Sequence, residues 1–132
     1  MTITGGDASL EGADYGGGVA IRLATATFSD TIITSNVAGQ GGGIMLDQGT
    51  LTVNGGEITD NQATQNGSIA GGGGISIGYN DPLSNAPVDS NLTAVFNNVL
   101  IQENEGPDRN RGGGIMQQQG VVTLNNSQIL SN

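Results

Sequence analysis

Gly41-Gly42-Gly43-Ile44, then Leu51-Thr52-Val53, then Ile58-Thr59-Asp60-Asn61-Gln62-Ala63: this run sets a glycine cluster, two short alternating segments and an asparagine in fixed order. The same order recurs along the chain. Further glycine clusters stand at Gly16-Gly17-Gly18-Val19, Gly72-Gly73-Gly74-Ile75 and Gly112-Gly113-Gly114-Ile115. Each is followed by a block ending in asparagine: Thr27 to Asn36, Val95 to Asn104 and Thr123 to Asn132, matching Thr52 to Asn61. The matched glycines at 16, 41, 72 and 112 lie 25, 31 and 40 residues apart, and the third coil carries an insertion within 78–91. A constant frame with variable insertions marks a solenoid, because the frame must stack while the loops are free to bulge outward.

Within a coil the apolar residues fall into columns. Phe28, Val53, Phe96 and Leu124 form one, Ile33, Ile58, Ile101 and Ile129 a second, and Val19, Ile44, Ile75 and Ile115 a third. The segments alternate with period two between glycine or polar corners, and no helical period competes. The expectation is an all-β fold, a right-handed parallel β-helix (β-solenoid), forming one domain over 1–132 with coils starting near 16, 41, 72 and 112. The glycine triplets are expected at tight corners, where positive φ or close backbone approach excludes a Cβ. Asn36, Asn61, Asn104 and Asn132 keep register in all coils. Stacked about 4.8 Å apart, their amides can bond up and down the stack as a ladder. The alternative is a turn asparagine in the left-handed region. The fixed register favours the ladder.

Composition narrows the function classes. Of 132 residues, 35% are apolar and 3% aromatic, so a conventional globular core is hard to build. There are 24 glycines but only three prolines and no three-residue period, which excludes collagen. Cysteine, histidine, tryptophan and lysine are absent. Arg22, Arg109 and Arg111 face 12 carboxylates, for a net charge of −9. Such a surface repels nucleic acid and anionic membrane. No apolar run approaches membrane-spanning length. No signal peptide precedes the first coil, so an export signal is expected to be removed or to lie on a longer precursor.

The order GGGI, an LTV-type strand and I-T-x-N-x-A resembles the right-handed parallel β-helix repeats of bacterial surface proteins. It is similar to the GGA[IL]/FxxN repeats of polymorphic outer-membrane proteins and autotransporter-like passengers. Gly41 to Ile44, Leu51 to Val53 and Ile58 to Ala63 carry the resemblance, which extends over nearly the whole chain. The FxxN tetrad itself is not met, since Thr31 and Val99 stand three residues after Phe28 and Phe96. The resemblance implies a long, exported, adhesive protein.

Chemistry is thinly represented. Polysaccharide lyases that share this backbone typically use a carboxylate cluster holding a cation and a basic residue as base, and fold alone does not decide function. Asp60 and Glu103 share a column, about 5 Å apart by coil spacing, near the separation of a retaining glycosidase pair. Two solvated surface acids are the plainer reading. No sugar-stacking aromatic lies in register with them, and we expect no enzyme and no catalytic or metal site. Tyr79-Asn80-Asp81-Pro82 and Gly106-Pro107-Asp108 offer oxygen ligands without the spacing of a known calcium loop, so no cofactor is expected and calcium is left open. Asn66, Asn91 and Asn125 begin triplets of glycosylation type, which an asparagine-rich chain yields by chance.

One face suggests binding. Thr25, Thr27, Thr50, Thr52, Thr93 and Thr123 point outward in two files, with valine at the remaining two positions, Val95 and Val121. Flat threonine arrays on solenoids resemble ice-binding faces, although threonine also suits any exposed strand. The leading expectation is an extracellular or cell-surface structural or adhesive module. Ice binding comes second and a polysaccharide-active fragment third. Thr2-Ile3-Thr4-Gly5-Gly6 matches the late part of a coil and Asn132 closes the last, with no capping helix evident. Self-association through open ends, within a longer shaft or a head-to-tail filament, is therefore expected, with polysaccharide or a host surface as the other partner.

Overall fold

The computed structural model describes residues 1–9, 15–64, 71–78, 91–107 and 112–132. They form parallel β-strands in three sheets, with no helix among them. Strands β1 (Thr2–Thr4) and β2 (Asp7–Ala8) make a partial first coil. The next coil holds β3 (Val19–Ile21), β4 (Ala24–Thr34) and β5 (Val37–Ala38). It is repeated by β6 (Ile44–Leu46), β7 (Gly49–Thr59) and β8 (Gln62–Ala63). The third coil holds β9 (Ile75–Ile77), β10 (Thr93–Asn97) and β11 (Leu100–Gln102). The last holds β12 (Ile115–Gln117), β13 (Val121–Asn125) and β14 (Gln128–Leu130). Each strand pairs with its counterpart one coil away, which makes the chain a β-solenoid of four turns. The insertion expected within 78–91 lies outside the described residues except at Gly78 and Asn91.

Register follows the repeat. Phe28 pairs with Val53, Val53 with Phe96 and Phe96 with Leu124. Ile33, Ile58, Ile101 and Ile129 pair in series, with Ile3 above Ile33. Val19, Ile44, Ile75 and Ile115 do the same in the second sheet. A fourth column, Ile21, Leu46 and Ile77, joins them in a single buried cluster. Burial needs a neighbour on both sides. Ile33, Ile58 and Ile101 are therefore sealed, whereas Leu124 and Ile129 on the last coil are 42% and 45% exposed.

The corners divide into two kinds. Most triplet glycines are required by close approach. A Cβ on Gly43 would lie 2.6 Å from Gly74 O, and one on Gly73 would lie 2.2 Å from Glu105 O. Positive φ occurs at Gly16 and Gly41, which open two of the triplets, and also at non-glycine residues that precede the asparagine column: Ser35 at 55°, Asp60 at 53°, Glu103 at 54° and Ser131 at 50°. Such a conformation costs roughly 1–2 kcal/mol in an L-residue, so surrounding bonds must hold it. Thr59, which alternation places outside beside Ile58, is buried rather than exposed. It lies between Thr34 and Gln102, and its hydroxyl donates to Thr34 Oγ1 at 3.3 Å.

Candidate functional site

The interior ladder is complete. Asn36, Asn61 and Asn104 are buried, and Asn132 closes the column on the exposed last coil. Asn36 Nδ2 donates to Asn61 Oδ1 at 3.0 Å, Asn61 Nδ2 to Asn104 Oδ1 at 3.0 Å, and Asn104 Nδ2 to Asn132 Oδ1 at 2.9 Å. The backbone N–H groups of Asn36, Asn61 and Asn104 donate to the same oxygens at 3.1 Å. A buried amide left unpaired would be costly, and here both ends of each side chain are satisfied. The ladder therefore supports the frame and offers nothing to a ligand.

The outer surface of the long sheet is where a partner has access. Thr25, Thr50 and Thr93 fall in register with Val121, and Thr27 and Thr52 with Val95 and Thr123. Successive side chains lie about 4.8 Å apart along the stack, and alternate ones about 6.6 Å apart along a strand. A third outward file, not anticipated from the sequence, runs beside them: Ser29, Asn54, Asn97 and Asn125. Asn97 Nδ2 donates to Asn54 Oδ1 at 2.8 Å and Asn125 Nδ2 to Asn97 Oδ1 at 2.7 Å. Its signal was present, since each residue stands two places after the second threonine file, but serine in the first coil hid it. None of the residues in these three files is charged, and Glu57 stands exposed farther along β7 on the same sheet.

The opposite treatment is seen in the second sheet. Met45 and Ser76 alternate to the outside of β6 and β9, yet they are only 2% and 1% exposed. The covering is confined to the two middle coils, since Ala20 and Met116 in the same column are exposed and half-buried.

Ionisable groups are scattered. Asp60 and Glu103 occupy aligned, exposed corners, and neither is gathered with a third acid, since no group of three or more potential metal-ligating side chains occurs among the described residues. Arg22 and Asp47 follow the paired residues Ile21 and Leu46 and form an ion pair, Nε to Oδ2, at 3.0 Å. Burial pushes the Asp47 carboxyl above its ordinary range, and Arg22 only partly opposes it. Ser9 donates to Asp7 Oδ1 from its hydroxyl at 2.6 Å and from its N–H at 3.0 Å, which holds the Asp7 carboxyl below its ordinary range. Arg109, Arg111, Asp108, the 79–82 loop and the Asn66 triplet lie outside the described residues. Among the described residues no helix is long and apolar enough to cross a membrane.

Comparison with protein-family models, with curated proteins and with solved structures finds no match to this chain.

Proposed function

We propose that this chain is a structural and adhesive module of an extracellular or cell-surface β-solenoid. The observation that carries the reading is the division of labour between its two asparagine files. The inner file is wholly consumed in joining coil to coil, which makes a stiff shaft. The outer file and the threonines beside it form an uncharged, regularly spaced surface that suits attachment to a neutral polysaccharide or a host surface. Leu124 and Ile129 add an apolar stacking face on which a further coil, of this or another chain, can settle. The test is saturable binding of the purified chain to immobilised neutral polysaccharides and to cells. Binding lost on Thr52→Lys, which places a charge at the centre of the face, supports the reading. Binding indifferent to that change, or release of cleaved sugar, overturns it.

A second reading, ice binding, is favoured by the in-register threonine files, none of whose residues is charged. Thermal hysteresis that is abolished by Thr52→Lys would favour it over adhesion, and its absence would remove it.

A further inference from the structure

Each ladder asparagine is seated from one side. Asn61 Oδ1 accepts from Asn36 N–H at 3.1 Å and from Asn36 Nδ2 at 3.0 Å, while Asn61 Nδ2 donates to Ile33 O at 2.9 Å. All three partners belong to the preceding coil. Toward the following coil the side chain sends one bond, from Nδ2 to Asn104 Oδ1. Asn104 repeats the arrangement. Its Oδ1 accepts from Asn61 N–H and Nδ2, and its Nδ2 donates backward to Ile58 O at 2.9 Å. In the partial first coil Gly6 stands in the asparagine place. Its N–H donates to Asn36 Oδ1 at 3.0 Å, and Asn36 Nδ2 donates to Ile3 O at 3.1 Å.

On the last coil the second Nδ2 proton finds another acceptor. Asn132 Nδ2 donates backward to Ile101 O at 3.2 Å and turns its other proton to Leu130 O of its own coil at 2.8 Å. Asn104 Nδ2 already lies 2.9 Å from the equivalent carbonyl, Gln102 O. Asn132 thus has four side-chain bonds with the forward one replaced by Leu130 O, whereas three of the four depend on the preceding coil. The strained corner just before a ladder asparagine, at Asp60 or Glu103, has the same dependence, because the seated amide holds the chain through that bend.

We infer that the stack is templated in one direction, each coil closing on the coil N-terminal to it. A folded coil presents two fixed donors, the asparagine N–H and Nδ2, and the arriving coil supplies an oxygen to them. Growth toward the N-terminus would need an asparagine whose oxygen has no partner to wait in the correct rotamer. Preorganisation favours the first route, since the ordering entropy has already been lost on the template side. The coupling between neighbouring repeats then has a polarity that nearest-neighbour packing alone does not impose. A chain that emerges N-terminus first, from a ribosome or through a membrane, can consolidate coil by coil without waiting for its end.

Three backbone bonds report the successive closures in the full chain: Gln62 N–H to Asn36 O at 2.9 Å, Glu105 N–H to Asn61 O at 2.8 Å and Gln128 N–H to Val99 O at 3.0 Å. Refolding from denaturant, sampled by pulsed hydrogen exchange and NMR, is expected to protect Gln62 first, Glu105 second and Gln128 last. Asn36→Ala is expected to slow all three by about tenfold, the factor that corresponds to 1.4 kcal/mol placed in the folding barrier. Asn132→Ala is expected to delay Gln128 alone. A ladder that only stabilises the finished stack would give simultaneous protection, and that result overturns the inference. Earlier protection at Gln128 than at Gln62, or a delay at Gln62 caused by Asn132→Ala, does the same.

Discussion

Asn61 and Asn104 hold one another through two bonds to one oxygen: Asn61 N–H and Asn61 Nδ2 both donate to Asn104 Oδ1, at 3.1 and 3.0 Å. The pair joins consecutive coils at a buried corner. Asn61→Ala removes the acceptor for Asn36 N–H and Nδ2 and a donor to Asn104. Each buried group so orphaned costs about 1–3 kcal/mol. The expected loss is about 2–5 kcal/mol of unfolding free energy, measurable by urea titration.

The inward and outward positions of the strand differ in what they tolerate. Ile58→Ala is expected to cost about 2–5 kcal/mol, through lost burial and the cavity left between Ile33 and Ile101. Thr59→Ala is expected to cost about 1 kcal/mol, because the buried Thr59 hydroxyl bonds to Thr34. Thermal denaturation of both variants checks the ranking.

Glycine and non-glycine corners are expected to answer oppositely to exchange. Gly43→Ala forces a Cβ to 2.6 Å from Gly74 O and 3.0 Å from Asn61 Nδ2, where backbone must move. Its cost is expected to exceed about 3 kcal/mol. Asp60→Gly relieves a φ of 53° at an exposed corner, and the strain it removes offsets the extra chain entropy. That variant is expected to lie within about 1 kcal/mol of the parent, on the stable side. Chemical denaturation curves with unchanged slope would support both.

Those corners also show why part of the fold was hidden. The apolar columns were legible because period-two alternation and fixed spacing leave one register that buries them all. The inner ladder was legible for the same reason. The left-handed corner before it was not, because of Ser35, Asp60, Glu103 and Ser131 only the aspartate is of a type that favours that conformation. The companion corner at Asp30, Asn98 and Asn126 uses residue types that do, with Gly55 completing it. Met45 and Ser76 mark a different limit. Alternation tells which side a residue faces, and not whether another segment, such as the chain at Gly71 beside Ser76, lies over that side. Leu124 and Ile129 face inward as expected, yet direction alone does not bury them.

Asp47 supplies a pH test. Its folded-state pKa is raised, chiefly by burial, so the protonated form is favoured in the fold. The destabilisation is absent below the ordinary carboxylate range and appears as pH rises through the folded pKa. Asp47→Asn is therefore expected to match or slightly exceed the parent near neutral pH, and to lose that advantage as pH falls. Loss of the exposed Arg22 partner and solvent screening keep the difference within about 1 kcal/mol. Melting temperatures of the two proteins across acidic to neutral pH give the comparison.

The account rests on a buried amide ladder that joins the coils, and side-chain hydrogen exchange at Asn61 reads it directly. The Asn61 and Asn104 Nδ2 protons are bonded and buried, whereas Asn126 is exposed at its corner. In NMR-detected exchange of the native protein, the Nδ2 protons of Asn61 and Asn104 should survive with the most protected backbone amides, long after those of Asn126 have gone. Exchange of the Asn61 side chain at the rate of Asn126 would contradict the ladder, and with it the stacked frame on which the proposed function depends.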